Sequence, residues 1–296
     1  EHAEELASRV RGLGCKVNLI PWNPIEGVAL RAPKERDVRR FEEVLAARGV
    51  PTTCRRRKGD DIAAACRRDP RFFPEKILRY KLTDQQMEAR LAMRENRRVI
   101  VQSGNAIGKT RFFAGEILEW MVTPGSRVMA TATTFDQLVE TVWAEVRTLH
   151  ATARVPLPGV VKSESWEVAP LWDARCVSVN NRNAFQGRHP PRMLLVFDEA
   201  LGIEGDIWRA GSSMMQSDES RWLAGLNPLE RKGEAYRACT NTELWKCVRW
   251  SCLDHPNVRA GEKAVAAEMK RGGSRWEARS RLKEKRRFAE PVPGAV

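Results

Sequence analysis

No apolar run in the sequence reaches the length that spans a membrane, and no signal-like start is present. We therefore expect a soluble, cytoplasmic protein without membrane contact. The sequence also has no CxxC pair. Its seven cysteines are odd in number and scattered, which indicates neither a disulfide framework nor a zinc site. The chain begins with Glu1 rather than methionine, from which we expect a start inside a longer reading frame or after processing.

Acidic residues are in deficit, with 38 Asp and Glu against 51 Lys and Arg, a net charge of +13. Such a charge favours a polyanionic partner, nucleic acid most directly. The basic residues are spread through both halves of the chain, so a solvated basic surface is the alternative. With 296 residues the chain can form one large domain or two modest ones, and it can bury a sizeable core.

The chain is organised around residues 98–110, RVIVQSGNAIGKT. The β-branched run Val99 to Val101 predicts a buried strand, and the residues after it have the apolar spacing of a helix. A glycine-bearing loop between a strand and a helix predicts a phosphate-binding loop. The usual first glycine of GxxxxGK[ST] is replaced by a serine, with a glycine one place later. The predicted nucleotide-binding residues are Ser103, Gly104, Asn105, Ala106, Ile107, Gly108, Lys109 and Thr110.

The residue types in this loop suit the triphosphate of ATP. The two glycines let the backbone curl so that its N–H groups point at phosphate oxygens. Lys109 supplies a point charge for the outer phosphates, and the Thr110 hydroxyl is placed to bind magnesium. A chance Gly-Lys-Thr at the start of an ordinary helix is the alternative.

An acidic pair follows the apolar run of residues 193–197, MLLVF, which predicts a strand buried on both faces. Adjacent residues of a strand point to opposite sides, so the two acids should have different roles. We expect Asp198 to hold magnesium and Glu199 to orient or deprotonate the attacking water. Simple polar residues at the end of a strand are the alternative.

Two amides complete the predicted site. Gln86, with Gln85 as the substitute, is placed in a short helix before the loop, where its amide can donate to and accept from the adenine edge. Asn227 follows the predicted strand of residues 222–226 and could sense the γ-phosphate. The alternatives are a glutamine on a solvated helix face and an Asn-Pro turn that ends a strand.

Residues 82–258 resemble the ATPase domain of the large terminase subunit of tailed bacteriophages. The resemblance depends on the order and spacing of residues 103–110 (SGNAIGKT), 131–137 (TATTFDQ), 143–145 (WAE), 185–189 (FQGRH), 194–200 (LLVFDEA), 225–228 (GLNP) and 254–258 (DHPNV). It implies an ATP-driven motor in the bacterial host cytoplasm that packages double-stranded DNA. Such a motor works as a homo-oligomeric ring with a small terminase subunit and the portal. The family's site residues carry over to Lys109, Asp198, Glu199 and Asn227.

Two departures from this family matter. Some terminases place an arginine finger inside the phosphate loop, but residues 104–107 contain no arginine. Arg111, or an arginine of a neighbouring subunit, would then have to neutralise the charge of the transition state. The family's C-terminal nuclease would follow the ATPase, whereas here a basic, helical-looking stretch follows, so we expect no DNA cutting by this chain.

The first quarter of the chain resembles the C-terminal end of the radical-SAM RNA methyltransferases that methylate C2 of an adenine. The matching residues are His2, residues 16–24 (KVNLIPWNP) and residues 57–66 (RKGDDIAAAC). The resemblance implies that Asn18 belongs to an S-adenosylmethionine site and that Cys66 carries the methyl group to RNA. However, the CxxxCxxC loop that would hold a 4Fe–4S cluster is absent, and so is the resolving cysteine.

The sequence therefore predicts an α/β protein: a P-loop NTPase domain with a mostly parallel sheet, preceded by a small α/β fragment that resembles the last βα units of a radical-SAM barrel. We expect the fragment at 1–68, a linker at 69–75, the ATPase domain at 76–260 and a basic helical tail at 261–296. The main functional hypothesis is a DNA-packaging ATPase. The alternatives are a methyltransferase fragment and a non-functional fusion of the two.

Overall fold

The computed structural model describes residues 2–19, 33–54, 60–180 and 192–284. Several predicted features lie outside these residues: the motif at 185–189, residues 20–24 and 57–59 of the methyltransferase-like blocks, and the end of the basic tail. The chain divides into two compact units, Glu1–Asp61 and Ile62–Val296. Among the described residues, no helix is both long and apolar enough to cross a membrane.

Unit 1 is a small α/β element, as the sequence predicts. Its helices are α1 (His2–Val10) and α2 (Glu35–Ala47), and its strands are β1 (Val17–Leu19) and β2 (Thr52–Cys54). The two strands are parallel, with Asn18 opposite Thr53. A small apolar core of Ala7, Leu45 and Val50 joins the helices to the strands. Helix α3 (Asp60–Arg68) spans the boundary between the units in the sequence.

Unit 2 is built on an eight-stranded sheet. Its strands, in chain order, are β3 (Arg98–Ser103), β4 (Ser126–Ala132), β5 (Val160–Val161), β6 (Ser165–Ala169), β7 (Trp172–Cys176), β8 (Arg192–Asp198), β9 (Arg221–Leu226) and β10 (Lys246–Trp250). Their order across the sheet is β10-β3-β9-β8-β4-β7-β6-β5. The strands from β10 to β7 are parallel to one another. Strand β6 is antiparallel to both of its neighbours, β7 and β5. The predicted mostly parallel sheet is confirmed.

Helices pack on both faces of this sheet. They are α4 (Asp84–Glu95), α5 (Lys109–Met121), α6 (Phe135–Leu138), α7 (Ala144–Thr152), α8 (Gly205–Met214), α9 (Gly233–Thr240), α10 (Pro256–Met269) and α11 (Arg275–Glu284). Helical turns lie at Phe72–Ile77, Val139–Trp143, Ala200–Gly202 and Cys252–Asp254. The spacing of Leu138, Val142 and Val146 predicts one amphipathic helix over residues 135–149, and the structure has α6 and α7 there, joined by the wide turn Val139–Trp143.

The central strands are buried on both faces because their side chains alternate between two apolar cores. Val99 and Val101 pack into a core with Phe112 of α5, whereas Ile100 packs into the opposite core with Trp208 of α8. This alternation is the expected consequence of the two-residue period of a strand covered by helices on both sides.

Two local predictions are corrected. The apolar alternation of residues 176–179, CVSV, predicts a strand there, but β7 covers Trp172–Cys176 instead. No sequence pattern predicts strands β5, β6 and β10. These strands are short and near the sheet edges, so their apolar signal is weak. The predicted linker at 69–75 contributes to the interior of unit 2: Phe73 is fully buried, and the turn Phe72–Ile77 packs into the core. The charged residues and prolines of this segment predict a linker, whereas burial of the Phe73 ring stabilises the segment inside the core.

The sheet places the carboxyl ends of its six parallel strands at one edge. Because parallel strands run in one direction, the residues that follow β3, β4, β8, β9 and β10 all emerge at their carboxyl ends. Strand β9 lies between β3 and β8 in the sheet. The residue after β9, Asn227, therefore lies between the loop that follows β3 and the acidic pair at the end of β8.

Candidate functional site

The predicted phosphate loop connects β3 to α5, in the order strand, loop and helix that the sequence predicts. Gly108 adopts a left-handed conformation (φ 86°) at the N-cap of α5, and Ala106 also has a positive φ of 58°. Glycine cannot cap a helix with a side chain, so the first N–H groups of α5 keep their capacity to bind an anion. Asn105 and Ala106 are exposed, whereas Ile107 is buried.

The start of the loop packs closely against the turn Cys252–Asp254. A Cβ atom on Gly104 would lie 2.3 Å from the Sγ of Cys252, so only glycine fits without movement of that side chain. The preceding Ser103 is almost fully buried, and its hydroxyl donates to the carbonyl of Gly104 at 3.1 Å. The serine that replaces the usual first glycine therefore belongs to the inner wall of the loop.

Lys109 is buried, and its ammonium group lies at the centre of the site. The Nζ atom donates to Oδ1 of Asn227 at 2.5 Å and to the carbonyl of Gly104 at 3.4 Å. Burial lowers the pKa of Lys109, while the carboxylates of Glu199 and Asp198 partly offset this effect. Both hydrogen-bond acceptors of Nζ are neutral oxygens, so the ammonium group can also bind an anionic ligand.

Asn227 joins the three parts of the site. Its Nδ2 donates to Oδ1 of Asn105 at 2.7 Å and lies 3.3 and 3.4 Å from the two carboxylate oxygens of Glu199. Its other amide atom, Oδ1, accepts from Lys109. One side chain thus links the loop, the loop lysine and the second acid.

The two acids differ in environment, as the strand geometry predicts. Asp198 is only 5% exposed, and its pKa is raised to about 6, first by burial and then by the adjacent Glu199. Glu199 is half-buried in a left-handed conformation, with φ 45° and ψ 46°. Its carbonyl accepts a hydrogen bond from the Thr133 hydroxyl at 2.8 Å. Strain in a non-glycine residue at the end of a strand is frequently associated with function.

An open cleft of about 620 Å³ adjoins these residues and is lined in part by Asn105, Thr133, Glu199 and Asn227. This volume lies within the range of small-molecule sites, roughly 300–1,000 Å³. Thr133, which follows β4, has no predicted role. Its place directly after a parallel strand is the signal that would have identified it.

Gln86 is placed differently from the adenine-reading expectation. Its side chain is 3% exposed, its Oε1 accepts from the N–H of Thr83 at 3.0 Å, and its Nε2 donates to the carbonyl of Gly108 at 3.1 Å. Gln85 donates to the carbonyl of Ser251 at 3.0 Å. Adenine recognition by either residue stays a prediction.

The remaining predicted site residues of unit 2 are Thr110 and Arg111. Thr110 is half-buried in the first turn of α5. The Nε of Arg111 donates to Oε1 of Glu145 at 2.7 Å, and the guanidinium lies 5.6 Å from the ring centre of Tyr80. A finger role for Arg111 stays a prediction and would require it to leave these partners.

The methyltransferase-like residues are described separately because they fall in different units. Asn18 is exposed in the middle of β1. Cys66 lies in unit 2, where it is 3% exposed, and burial raises the pKa of its thiol to about 11. Within the described ranges, no group of three or more His, Cys, Asp or Glu side chains is arranged to hold a metal ion.

The site residues fit a magnesium-bound nucleotide. Magnesium is usually held through one or two protein oxygens together with phosphate oxygens and water, so it does not need a cluster of acids. Asp198 presents a buried carboxylate whose pKa is raised, and a bound cation would stabilise its ionised form. The uncapped start of α5 and the Lys109 ammonium suit the phosphates.

No protein-family model matches the chain. Two curated relatives are dual-specificity RNA methyltransferases RlmN. The probable RlmN 2 of Protochlamydia amoebophila is 48% identical over 66 residues, and RlmN of Marinobacter nauticus is 50% identical over 66 residues. Each match covers 22% of this chain and 18% of the relative. The chain therefore spans about a fifth of the length of these relatives.

Solved structures of similar fold are large terminases. The ATPase domain of the Thermus phage P74-26 large terminase has a TM-score of 0.48 and 16% identity, with 81% of this chain and 96% of that chain covered. The large terminase of a thermophilic bacteriophage in complex with ADP has a TM-score of 0.49 and 11% identity, with 62% and 50% covered. The curated relatives carry the family name that the sequence predicts for the first part of the chain.

Proposed function

We propose that unit 2 is a magnesium-dependent ATPase and the DNA-packaging motor domain of a phage terminase large subunit. The observation that carries this proposal is the bonded group of Lys109, Asn227 and Glu199, with Asp198 beside it, at the ends of three adjacent strands. These residues are far apart in the sequence. A chance phosphate-loop motif would have no reason to meet an acidic pair and an amide at one sheet edge.

Each residue has a defined role in this proposal. The loop N–H groups and Lys109 would bind the phosphates, and Thr110 with Asp198 would hold magnesium. When bound, magnesium would neutralise negative charge on the phosphate oxygens. Glu199, on the more open side of the strand end, would orient or deprotonate the attacking water.

Asn227 gives the site a way to respond to its ligand. In this structure the amide holds Lys109 through Oδ1 and Glu199 through Nδ2. A phosphate that takes over the Lys109 ammonium would release Oδ1 and change the constraint on Glu199. Asn227 would thereby couple phosphate occupancy to the position of the water-activating carboxylate and to movement of the protein.

The partners are also part of the proposal. The net charge of +13 supports binding to double-stranded DNA. Arg111 is held by Glu145 in this structure, so an arginine from a neighbouring subunit of a ring is the better candidate to neutralise the transition-state charge. A small terminase subunit, a portal and a DNA-contacting role for the basic tail complete the motor.

A methyltransferase fragment is the second candidate, and the 48% identity over 66 residues favours it. The state of Cys66 opposes this candidate. A thiol that is buried and has a pKa of about 11 contains little thiolate at neutral pH, so it is a poor acceptor for a methyl group. A non-functional fusion of two gene segments is the third.

The test is ATP hydrolysis by the purified full chain with magnesium, compared with Lys109→Ala and Glu199→Gln. Both variants should lose most of the activity, whereas Asp218→Asn, at a fully exposed carboxylate before β9, should not. Equal hydrolysis by all four proteins would refute the site assignment. Reconstitution with iron and sulfide, followed by S-adenosylmethionine binding, tests the second candidate.

A further inference from the structure

We propose that Gln86 is a positioning residue that fixes the phosphate loop, and that it does not read the nucleotide base. This inference rests on the proposed nucleotide site and assigns to Gln86 a role toward the phosphates. The side chain of Gln86 connects the start of α4 to Gly108 at the end of the loop, across 22 residues of sequence.

The amide of Gln86 is occupied by backbone partners. Oε1 accepts from the Thr83 N–H at 3.0 Å, while the Thr83 hydroxyl accepts from the Gln86 N–H at 3.2 Å, which forms a reciprocal cap for α4. Nε2 donates to the Gly108 carbonyl at 3.1 Å. The amide has one further N–H and one further lone pair, but base recognition needs them on an accessible edge, and this side chain is 3% exposed.

The bond to Gly108 acts at the place where the loop needs a fixed direction. Gly108 has a left-handed φ of 86°, and a Cβ there would lie 2.6 Å from the Gln86 Nε2. A trans peptide unit is planar, so its C=O and the following N–H point in opposite directions. The Gly108 carbonyl accepts from the Phe112 N–H of α5 at 3.2 Å and from Gln86 at 3.1 Å. Gln86 therefore adds a second bond that holds this peptide unit, with the Lys109 N–H on the side opposite the carbonyl, as a phosphate-binding amide requires.

The loop is held at its other end by a separate contact. Gly104 packs against Cys252, and Gln85 donates to the neighbouring Ser251 carbonyl. The N-terminal end of α4 therefore supports both the exit of the loop, directly, and the turn that borders its entrance. Loss of the Gln86 bond should loosen the exit while the entrance stays in place.

Three variants separate the possible roles. Gln86→Glu keeps the acceptor for the α4 cap but cannot donate to Gly108. Gln86→Met has a similar shape and adds no charge, but it loses both bonds. Thr83→Ala removes a cap bond and leaves the donation to Gly108. Both Gln86 variants therefore lack the hydrogen bond to the Gly108 carbonyl, whereas Thr83→Ala keeps it.

The probes are ATP, GTP and inorganic tripolyphosphate, each with magnesium, and binding to the full chain is measured by titration calorimetry. Both Gln86 variants should bind each of the three probes more weakly than the parent by a similar factor, roughly five- to tenfold, as expected for the loss of one hydrogen bond. Thr83→Ala should bind all three like the parent. A loss confined to ATP, with a changed ratio of ATP to GTP, would overturn the proposal in favour of base reading.

A second measurement uses the protein without nucleotide. Amide hydrogen exchange in the peptide that covers residues 104–110 should be faster in Gln86→Met and unchanged in Thr83→Ala. Equal exchange in both variants and the parent would overturn the positioning role. If the parent binds none of the three probes, the proposed function fails, an outcome that differs from base-selective loss in a protein that binds them.

Discussion

The side chain of Asp198 is both deeply buried and ionisable. Such a group lowers the stability of the fold when it is charged and is more typical of a functional site. Its carboxyl is 5% exposed, and its pKa is raised from 3.8 to about 6 by burial and by Glu199. A folded-state pKa above the unfolded value means that the folded protein prefers the protonated acid. The ionised form therefore costs stability at pH values above 6, and this cost disappears as the pH falls from 6 towards 3.8.

Asp198→Asn should accordingly stabilise the protein at pH 7.5 in the absence of magnesium, by about 1–3 kcal/mol, because a neutral amide replaces a buried charge. The free energy of unfolding, measured by urea denaturation, should differ less between variant and parent at pH 5, where the parent acid is mostly protonated. Asp218→Asn, at an exposed carboxylate, should show no such pH dependence. A variant that is less stable than the parent at pH 7.5 would contradict this reasoning.

At the scale of elements, the entrance of the phosphate loop and the turn Cys252–Asp254 depend on each other. Gly104→Ala should lower the affinity for magnesium tripolyphosphate and destabilise the fold by about 0.5–1.5 kcal/mol, because the added Cβ would meet the Cys252 Sγ at 2.3 Å and this exposed side chain would have to move. Gly104 does not have a positive φ, so the cost is steric. Thermal unfolding and calorimetric binding measure the two effects.

Removal of the opposing sulfur provides the matched test. Cys252→Ala alone should be nearly neutral because Cys252 is exposed, and the double variant should recover most of the affinity that Gly104→Ala loses. If the double variant remains as impaired as Gly104→Ala, the contact with Cys252 is not the reason for the glycine.

Helices α4 and α5 are joined by a buried ionic group. Arg90 of α4 is 2% exposed and pairs with Glu116 and Glu119 of α5, and its Nε donates to the Pro70 carbonyl at 2.5 Å. Removal of one partner leaves buried charges uncompensated. This group therefore fixes α4 relative to the helix that follows the phosphate loop.

Arg90→Ala should destabilise unit 2 by about 1–3 kcal/mol, since it removes the main cation beside the half-buried carboxylates of Glu116 and Glu119. Arg209→Ala, which removes the exposed pair with Asp206, should change the free energy of unfolding by less than about 1 kcal/mol. Chemical denaturation followed by tryptophan fluorescence measures both. A small effect at Arg90 would mean that water reaches the acids once the arginine is removed.

At the scale of the whole molecule, net charge is the property that directs the choice of partner. If the chain binds duplex DNA mainly through phosphates, log K should fall linearly with log salt concentration, with a slope of about −0.9 for each phosphate neutralised. Fluorescence anisotropy with duplexes of unrelated sequence should give similar affinities. Lys109→Ala should leave the slope unchanged, because this lysine is buried in the proposed nucleotide site. Salt-independent binding would contradict an electrostatic DNA contact.

The sequence by itself determined the local chemistry. The strand, glycine loop and helix of residues 98–121, the apolar strand before Asp198 and the small α/β fragment at the start are each set by spacing within one short segment. The Thr83-x-x-Gln86 cap of α4 also corresponds to a capping-box pattern within four residues of sequence.

Only the tertiary structure decided which segments are neighbours. Strand β9 lies between β3 and β8, although β4 follows β3 in the chain, and this order brings Asn227 to Lys109 and Glu199. Periodicity reports which face of a strand is buried, but not which strand lies beside it. The bond from Gln86 to Gly108, the contact of Cys252 with Gly104 and the burial of Phe73 depend on the same long-range packing, which no local pattern contains.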